Sequence, residues 1–193
     1  MTATPSPSQG WHPWHLPAMR AVPALVVGLP LPFIQLHSPI VGTIALFVLL
    51  AGTAVALWLG RGLVPAAAGR WPALAAAWTA LLAIVALGVA ILGATELTFA
   101  LTVAAWAVPA GVLELLGWSR MRSVTEPRTL RVAQDWRAVG VFTIVLGVVF
   151  LFVRDAVTLT GLLGAYAVIL GVYLALAALS ARPARTTTER SKA

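Results

Sequence analysis

The residues able to do acid–base or nucleophilic chemistry are few. The chain has 193 residues with six acids, three histidines and no cysteine, which excludes disulfides and thiolate chemistry. Glu114 is the only acid well inside an apolar stretch, and an acid within a membrane span is by default a candidate functional group. It lies four residues before Trp118, where that stretch ends. We therefore favour an interfacial carboxylate, paired with a nearby arginine, over a buried proton carrier.

Motifs of known enzymes and metal sites are lacking. His12 and His15 form an HxxH-like pair, but a metal site needs further ligands and none lies nearby in sequence. We find no phosphate-binding loop, no GxGxxG, no HExxH and no GxSxG. Polar or ionisable groups converging inside the apolar segments are nearly absent. The sequence thus predicts a non-enzymatic protein without metal or cofactor.

The composition indicates a membrane protein. Of the residues, 60% are hydrophobic and only 10% are charged, with a mean hydropathy of +0.93, whereas soluble domains carry about 25% charged residues. Six apolar segments are long enough to be candidate spans: residues 21–36, 40–59, 71–92, 97–118, 136–153 and 156–179. The first is short and contains Pro23, Pro30 and Pro32, which predicts a kinked or partly unwound outer end.

We predict an all-α fold of six transmembrane helices. Helices pair into three hairpins, over residues about 21–60, 71–118 and 136–179, within one domain of residues 21–181. Residues 1–20 and 182–193 are rich in polar residues and proline and should be disordered. The link of residues 119–135 should hold a short helical turn with Pro127 at its first position.

The basic residues predict the orientation. Twelve of the thirteen fall on one side of the predicted helices and only Arg154 on the other, so both termini and the long links should be cytoplasmic. This distribution also explains the net charge of +7 without a nucleic-acid partner, since no basic face with stacking aromatics is present. We expect a multi-pass protein of the inner (plasma) membrane, with cytoplasmic arginines contacting anionic lipid head groups.

A repeat of about 60 residues runs through the apolar segments. Gly28, Gly88 and Gly147 stand in the first helix of each hairpin, 60 and 59 residues apart. The second helices hold a matching set, an aromatic followed five residues later by a glycine: Phe47 and Gly52, Trp106 and Gly111, Tyr166 and Gly171. Small residues let helices approach closely in lipid, so we predict that these glycines are packing positions with the aromatics beside them. The three repeats are parallel rather than inverted.

This pattern resembles the HdeD family of acid-resistance membrane proteins. The final third of the chain carries the resemblance best, from Trp136 and Arg137 through Gly147 to the run GAYAVILG at 164–171. The first hairpin departs most, because of its prolines. The resemblance implies a small bacterial inner-membrane protein linked to acid or envelope stress, acting through helix contacts with itself or a membrane-protein partner. The alternative is a small transporter or channel.

The three short outer turns hold titratable residues. His37, Glu96 and Asp155 are 59 residues apart at each step and would share an outer rim if the hairpins pack around a common axis. External acid would then charge His37 and neutralise the two carboxylates, with Arg154 holding Asp155 ionised to lower pH. The simpler interpretation, which we favour, is that short turns need polar residues.

Overall fold

The chain is helical throughout the part that the structure describes. This computed structural model describes residues 14–64, 66–122 and 127–181. Six α-helices follow one another: α1 (His15–Gly28), α2 (Pro39–Gly60), α3 (Trp71–Leu92), α4 (Glu96–Met121), α5 (Pro127–Phe150) and α6 (Ala156–Ser180). Short 3-10 turns lie at Leu31–Phe33, Arg61–Leu63 and Ala66–Ala68.

All six helical segments are long and apolar enough to cross a membrane, which confirms the prediction of an all-helical fold with six candidate spans. Large apolar side chains cover much of the outer surface, for example Ile84 and Ile91, which are 69% and 75% exposed. Lipid tails solvate such a surface directly, so its exposure needs no further protein cover.

The first helix differs from its predicted bounds. It begins at His15, so residues 15–20, which we assigned to a disordered tail, are helical. The ring of His15 stacks on that of Trp14, with centroids 3.8 Å apart, at the helix start. The regular helix ends at Gly28, and the chain between Pro30 and Phe33 continues as a 3-10 turn. The predicted unwinding at the proline-rich outer end is confirmed.

Side-chain caps start the second helix of each pair. The Ser38 hydroxyl accepts from the N–H of Val41, and the Asp155 carboxylate accepts from the N–H of Thr158 at 2.8 Å. Thr95 caps α4 in the same way within a capping box. These bonds satisfy N–H groups that have no partner inside the helix, so each short turn ends at a defined residue. The longer link also becomes largely helical, because α4 continues to Met121 and α5 begins at Pro127.

The central helices are α2, α4 and α6, which contact one another. Near their N-terminal ends they meet closely: a Cβ on Gly42 of α2 would lie 2.6 Å from the ring of Phe99 of α4 and 3.1 Å from the hydroxyl of Thr160 of α6. The most extensive contacts join α4 to α5, α2 to α3, and α1 to α6. Each of α1, α3 and α5 therefore packs mainly on a central helix from a different sequential pair, and α1 closes the bundle against α6.

Candidate functional site

Two helix interfaces use glycines in the same way. A Cβ on Gly28 of α1 would lie 3.0 Å from the Cβ of Ala167 of α6, and one on Gly147 of α5 would lie 3.0 Å from the Cβ of Ala107 of α4. Both distances are tighter than ordinary packing contacts, so neither position has room for a larger side chain. Gly28 and Gly147 stand at matching positions of the sequence repeat.

The glycines on the other helix of each interface also make matching contacts. A Cβ on Gly171 of α6 would lie 3.1 Å from the backbone nitrogen of Leu25, and one on Gly111 of α4 would lie 3.1 Å from that of Ile144. Leu25 and Ile144 each precede the first-helix glycine of their repeat by three residues. The α1–α6 and α4–α5 interfaces therefore make the same glycine contacts at matching positions of the repeat.

The interface between α2 and α3 does not follow that design. Gly52 of α2 packs instead on α1, where its Cβ would lie 2.5 Å from the Cβ of Pro23. Gly88 is half-buried and nothing lies within 4 Å of its would-be Cβ, so the prediction of a close contact there is wrong. Ala83 and Ala86 are buried on α3, and Gly88 points about 200° around the helix from Ala86. The buried small residues on this helix are therefore alanines on another face than Gly88.

The repeat aromatics lie at or near the centre of the bundle. Trp106 and Tyr166 are buried and meet edge to face, with ring centroids 6.1 Å apart and an angle of 79°. Such pairs add roughly 0.5–1.5 kcal/mol beyond the area they bury. Phe47 is partly buried and packs against the same apolar core.

A buried ion pair joins α1 to α4. The Nη2 group of Arg20 donates to Oε1 of Glu114, and each residue is only 5% exposed. Glu114 is therefore enclosed by protein, and its predicted pairing with an arginine is confirmed. Arg20 lies inside α1, so the prediction that it precedes the first helix is wrong. Charges within a membrane span are costly unless they are paired, and this pair neutralises both.

A small cavity borders the ion pair, and every helix contributes a polar side chain to it. Arg20 comes from α1 and Glu114 from α4, while the other helices supply one residue each. These are Thr53 of α2, Thr79 of α3, Thr143 of α5 and Tyr166 of α6. The cavity offers about 20 Å³ to the centre of a water-sized sphere. The prediction that converging polar groups are nearly absent is thus wrong, because the tertiary fold gathers isolated residues from all six helices.

Hydrogen bonds fix two of the side chains that line the cavity, Thr143 and Tyr166. The Thr143 hydroxyl donates to the carbonyl of Val139 at 2.7 Å, which uses its only proton. In the 2.8 Å contact between Thr143 and Tyr166, the tyrosine hydroxyl must therefore be the donor. Three buried atoms of the lining residues have no hydrogen-bond partner within the described part of the chain: Nε of Arg20, Oε2 of Glu114 and Nε1 of Trp106.

A second carboxylate lies near the pair. Asp135 of α5 is half-buried and accepts a hydrogen bond from the hydroxyl of Tyr173 of α6 at 3.0 Å. The charge of Arg20 also acts on Asp135, so this arginine interacts with acids from two different helices. Sequence reasoning missed Arg20, Asp135 and Tyr173. Arg20 was missed because the helix start at His15 was not predicted, and a charge inside a spanning helix requires a partner.

Arginines contact tryptophans at the end of the bundle that carries the long links. The guanidinium of Arg61 lies 4.0 Å from the ring centroid of Trp58, and those of Arg122 and Arg137 lie 5.4 Å and 5.8 Å from that of Trp118. These are cation–π distances. Such an arrangement of amphipathic rings and cations is typical of a membrane–water interface.

The outer-turn residues play three different local roles. His37 precedes the cap of α2, Glu96 lies in the first turn of α4, and Asp155 is itself the cap of α6. Hydrogen bonds from the hydroxyl and the backbone N–H of Thr158 lower the pKa of Asp155. Arg154, expected to hold that carboxylate ionised, instead donates to the carbonyl of Val153. Capping explains Asp155 without a sensing role.

Within the described ranges no group of three or more His, Asp or Glu lies together as a metal site would require; His12 falls outside those ranges. Comparisons with models of known protein families, with curated proteins and with solved structures found no match. The resemblance to the HdeD family therefore stays a prediction.

Proposed function

We propose that this chain is a non-enzymatic, multi-pass protein of the bacterial inner membrane that acts in acid or envelope stress through helix contacts with itself or a membrane-protein partner. The observation that carries the proposal is the small size and neutral charge of the polar interior. One polar side chain from each of the six helices lines a small cavity, where the charged pair neutralises itself. What remains available outside is an apolar helical surface, which suits contacts with lipid and with other helices.

The size of the cavity supports this proposal over a solute-handling role. About 20 Å³ accommodates roughly one water molecule, whereas sites for small molecules enclose several hundred Å³. Close glycine contacts lie next to its lining residues Ala110 and Leu170: Gly111 packs on the backbone of α5 and Gly171 on that of α1. A substrate would require the helices to separate.

We further propose that the six helices form three parallel hairpin repeats with both termini cytoplasmic. The matched α1–α6 and α4–α5 contacts support the repeat. The arginine–tryptophan contacts at Trp58 and Trp118 support an interface at the linked end, where anionic head groups would meet the arginines. Reporter fusions should place Ser38, Thr95 and Asp155 outside and Ala66 inside. One fusion on the opposite side would overturn this topology.

Two experiments test the stress role: survival of cells under acid, and cross-linking of the protein to its partner in the membrane. Cells lacking the protein should survive external acid less well, and a plasmid copy should restore survival. Membranes cross-linked before solubilisation should yield a defined complex, either with a second copy or with one partner protein. If the null strain survives as the parent does under acid and envelope stress, the proposed role is wrong, whatever complex is captured.

A transporter or channel is the second candidate, favoured by the polar side chains that all six helices bring to one cavity. Membrane transport sites gather such groups inside the bundle. Proteoliposomes containing the purified chain should show no proton or small-ion flux above empty vesicles if our favoured proposal holds. A flux that disappears in Glu114→Gln would instead establish the transporter.

A further inference from the structure

The cavity beside the ion pair is lined by residues that carry complementary polar atoms. Oε2 of Glu114 is a buried acceptor, while Nε of Arg20 and Nε1 of Trp106 are buried donors, and none of the three has a partner among the residues that the structure describes. All three residues are at least 94% buried and line the same cavity. A buried polar atom without a hydrogen bond costs roughly 1–3 kcal/mol, so three around one small space call for a common explanation.

We propose that this cavity is a binding site for a single water molecule, which accepts from the indole N–H of Trp106 and donates to the free carboxylate oxygen of Glu114. The available volume of about 20 Å³ exceeds the roughly 10–15 Å³ that one water requires, and buried waters make two to four hydrogen bonds. Nε of Arg20 offers a further donor.

Other ligands fit these atoms less well. A cation would lie beside the guanidinium of Arg20, and an anion would compete with the carboxylate of Glu114. A neutral molecule that both donates and accepts matches the set, and the volume limits it to the size of water. The competing explanation is internal: the indole N–H of Trp106 could donate to the face of the Tyr166 ring, since the two rings meet edge to face.

Solution NMR of the full chain in lipid nanodiscs separates the two explanations. With ¹⁵N-labelled tryptophan, Trp106→Phe assigns the Trp106 indole signal, and Trp78→Phe assigns a matched control. The indole nitrogen of Trp78 is also buried without a partner, but Trp78 does not line the cavity. We expect a dipolar cross-peak from water to the Trp106 indole proton and none to that of Trp78. A rotating-frame experiment distinguishes dipolar transfer from proton exchange by its sign.

Nearby hydroxyl protons could relay such a signal, so the test includes a variant without them. In the double variant Thr143→Val, Tyr166→Phe, the cross-peak to Trp106 should persist at similar intensity. Loss of the cross-peak there, in a protein that keeps its other indole shifts, would assign the signal to the hydroxyls and overturn the water site. A resolved Trp106 signal with no cross-peak in the parent would favour the ring contact and overturn it equally. Should the double variant not fold, Thr143→Ser with Tyr166→Phe provides the second comparison, because it keeps one of the two hydroxyls. A cross-peak to Trp106 whose intensity falls with the number of hydroxyls refutes the proposal.

Discussion

The ion pair between Arg20 and Glu114 makes the sharpest prediction about stability. Removing one partner from a buried pair leaves the other charge uncompensated, which costs roughly 3–5 kcal/mol, whereas replacing both by apolar residues is often neutral or stabilising. The two residues are each 5% exposed and belong to helices far apart in sequence. We therefore expect Arg20→Met and Glu114→Leu each to raise the unfolding equilibrium constant by about two to four decades.

The double variant Arg20→Met, Glu114→Leu should recover most of that loss, because no charge remains in the bundle interior at this point. Asp135 would lose a neighbouring positive charge, so the recovery should be incomplete. Reversible unfolding in mixed micelles, followed by tryptophan fluorescence, measures all three variants against the parent. Arg61→Met is the matched control, since that arginine is exposed and its substitution should change stability by no more than about 1 kcal/mol.

The result that refutes this reasoning is specific. If each single variant lost less than about 1 kcal/mol, the pair would behave as an exposed surface salt bridge and would not be enclosed by protein. If the double variant were as unstable as the sum of the two single variants, the residues would act independently. The coupling energy between the two residues therefore tests the ion pair more directly than the loss in either single variant.

Three further predictions concern packing, a buried hydrogen bond and pH. Gly171→Leu should destabilise the bundle by about 1–3 kcal/mol through overpacking and raise thermal aggregation, whereas Gly88→Leu, with open space around it, should be tolerated; equal behaviour of both would contradict the packing argument. Tyr166→Phe should lower the free energy of unfolding in micelles by only about 0.5–1.5 kcal/mol, because the hydroxyl of Thr143 on α5 still donates to the carbonyl of Val139 and is not left unpaired. Hydrogen bonds from Thr158 lower the pKa of Asp155 in the folded state. The stabilising effect of the Asp155 carboxylate should therefore be present above pH about 4 and decline as pH falls. Asp155→Asn should flatten that part of the pH–stability curve, and an unchanged curve would show that the cap does not titrate.

The six helices were predictable because spanning segments must be long and apolar, a property that local sequence reports directly. The helix boundaries were less predictable. A charged residue usually marks the end of an apolar segment, but Arg20 lies inside α1 because Glu114 pairs with it. The glycine spacing predicted close contacts at Gly28 and Gly147, yet not which helix each would meet. It failed at Gly88, because alanines can serve the same purpose on another face.

The ion pair could not be read from spacing, since its members are 94 residues apart and no periodicity links α1 to α4. What sequence does show is that neither residue takes part in the repeat. The positions that match Arg20 and Glu114 in the other two hairpins hold only apolar residues: Ala80 and Val139 for the arginine, Val55 and Leu174 for the glutamate. A strictly repeated bundle would carry three equivalent polar sites or none. The glycine contacts at two interfaces repeat, while the ionisable groups occur once, so packing and polar chemistry are separable in this chain. Perturbing the glycines should change stability, and a proton-dependent activity of the bundle interior should depend on the Arg20–Glu114 site.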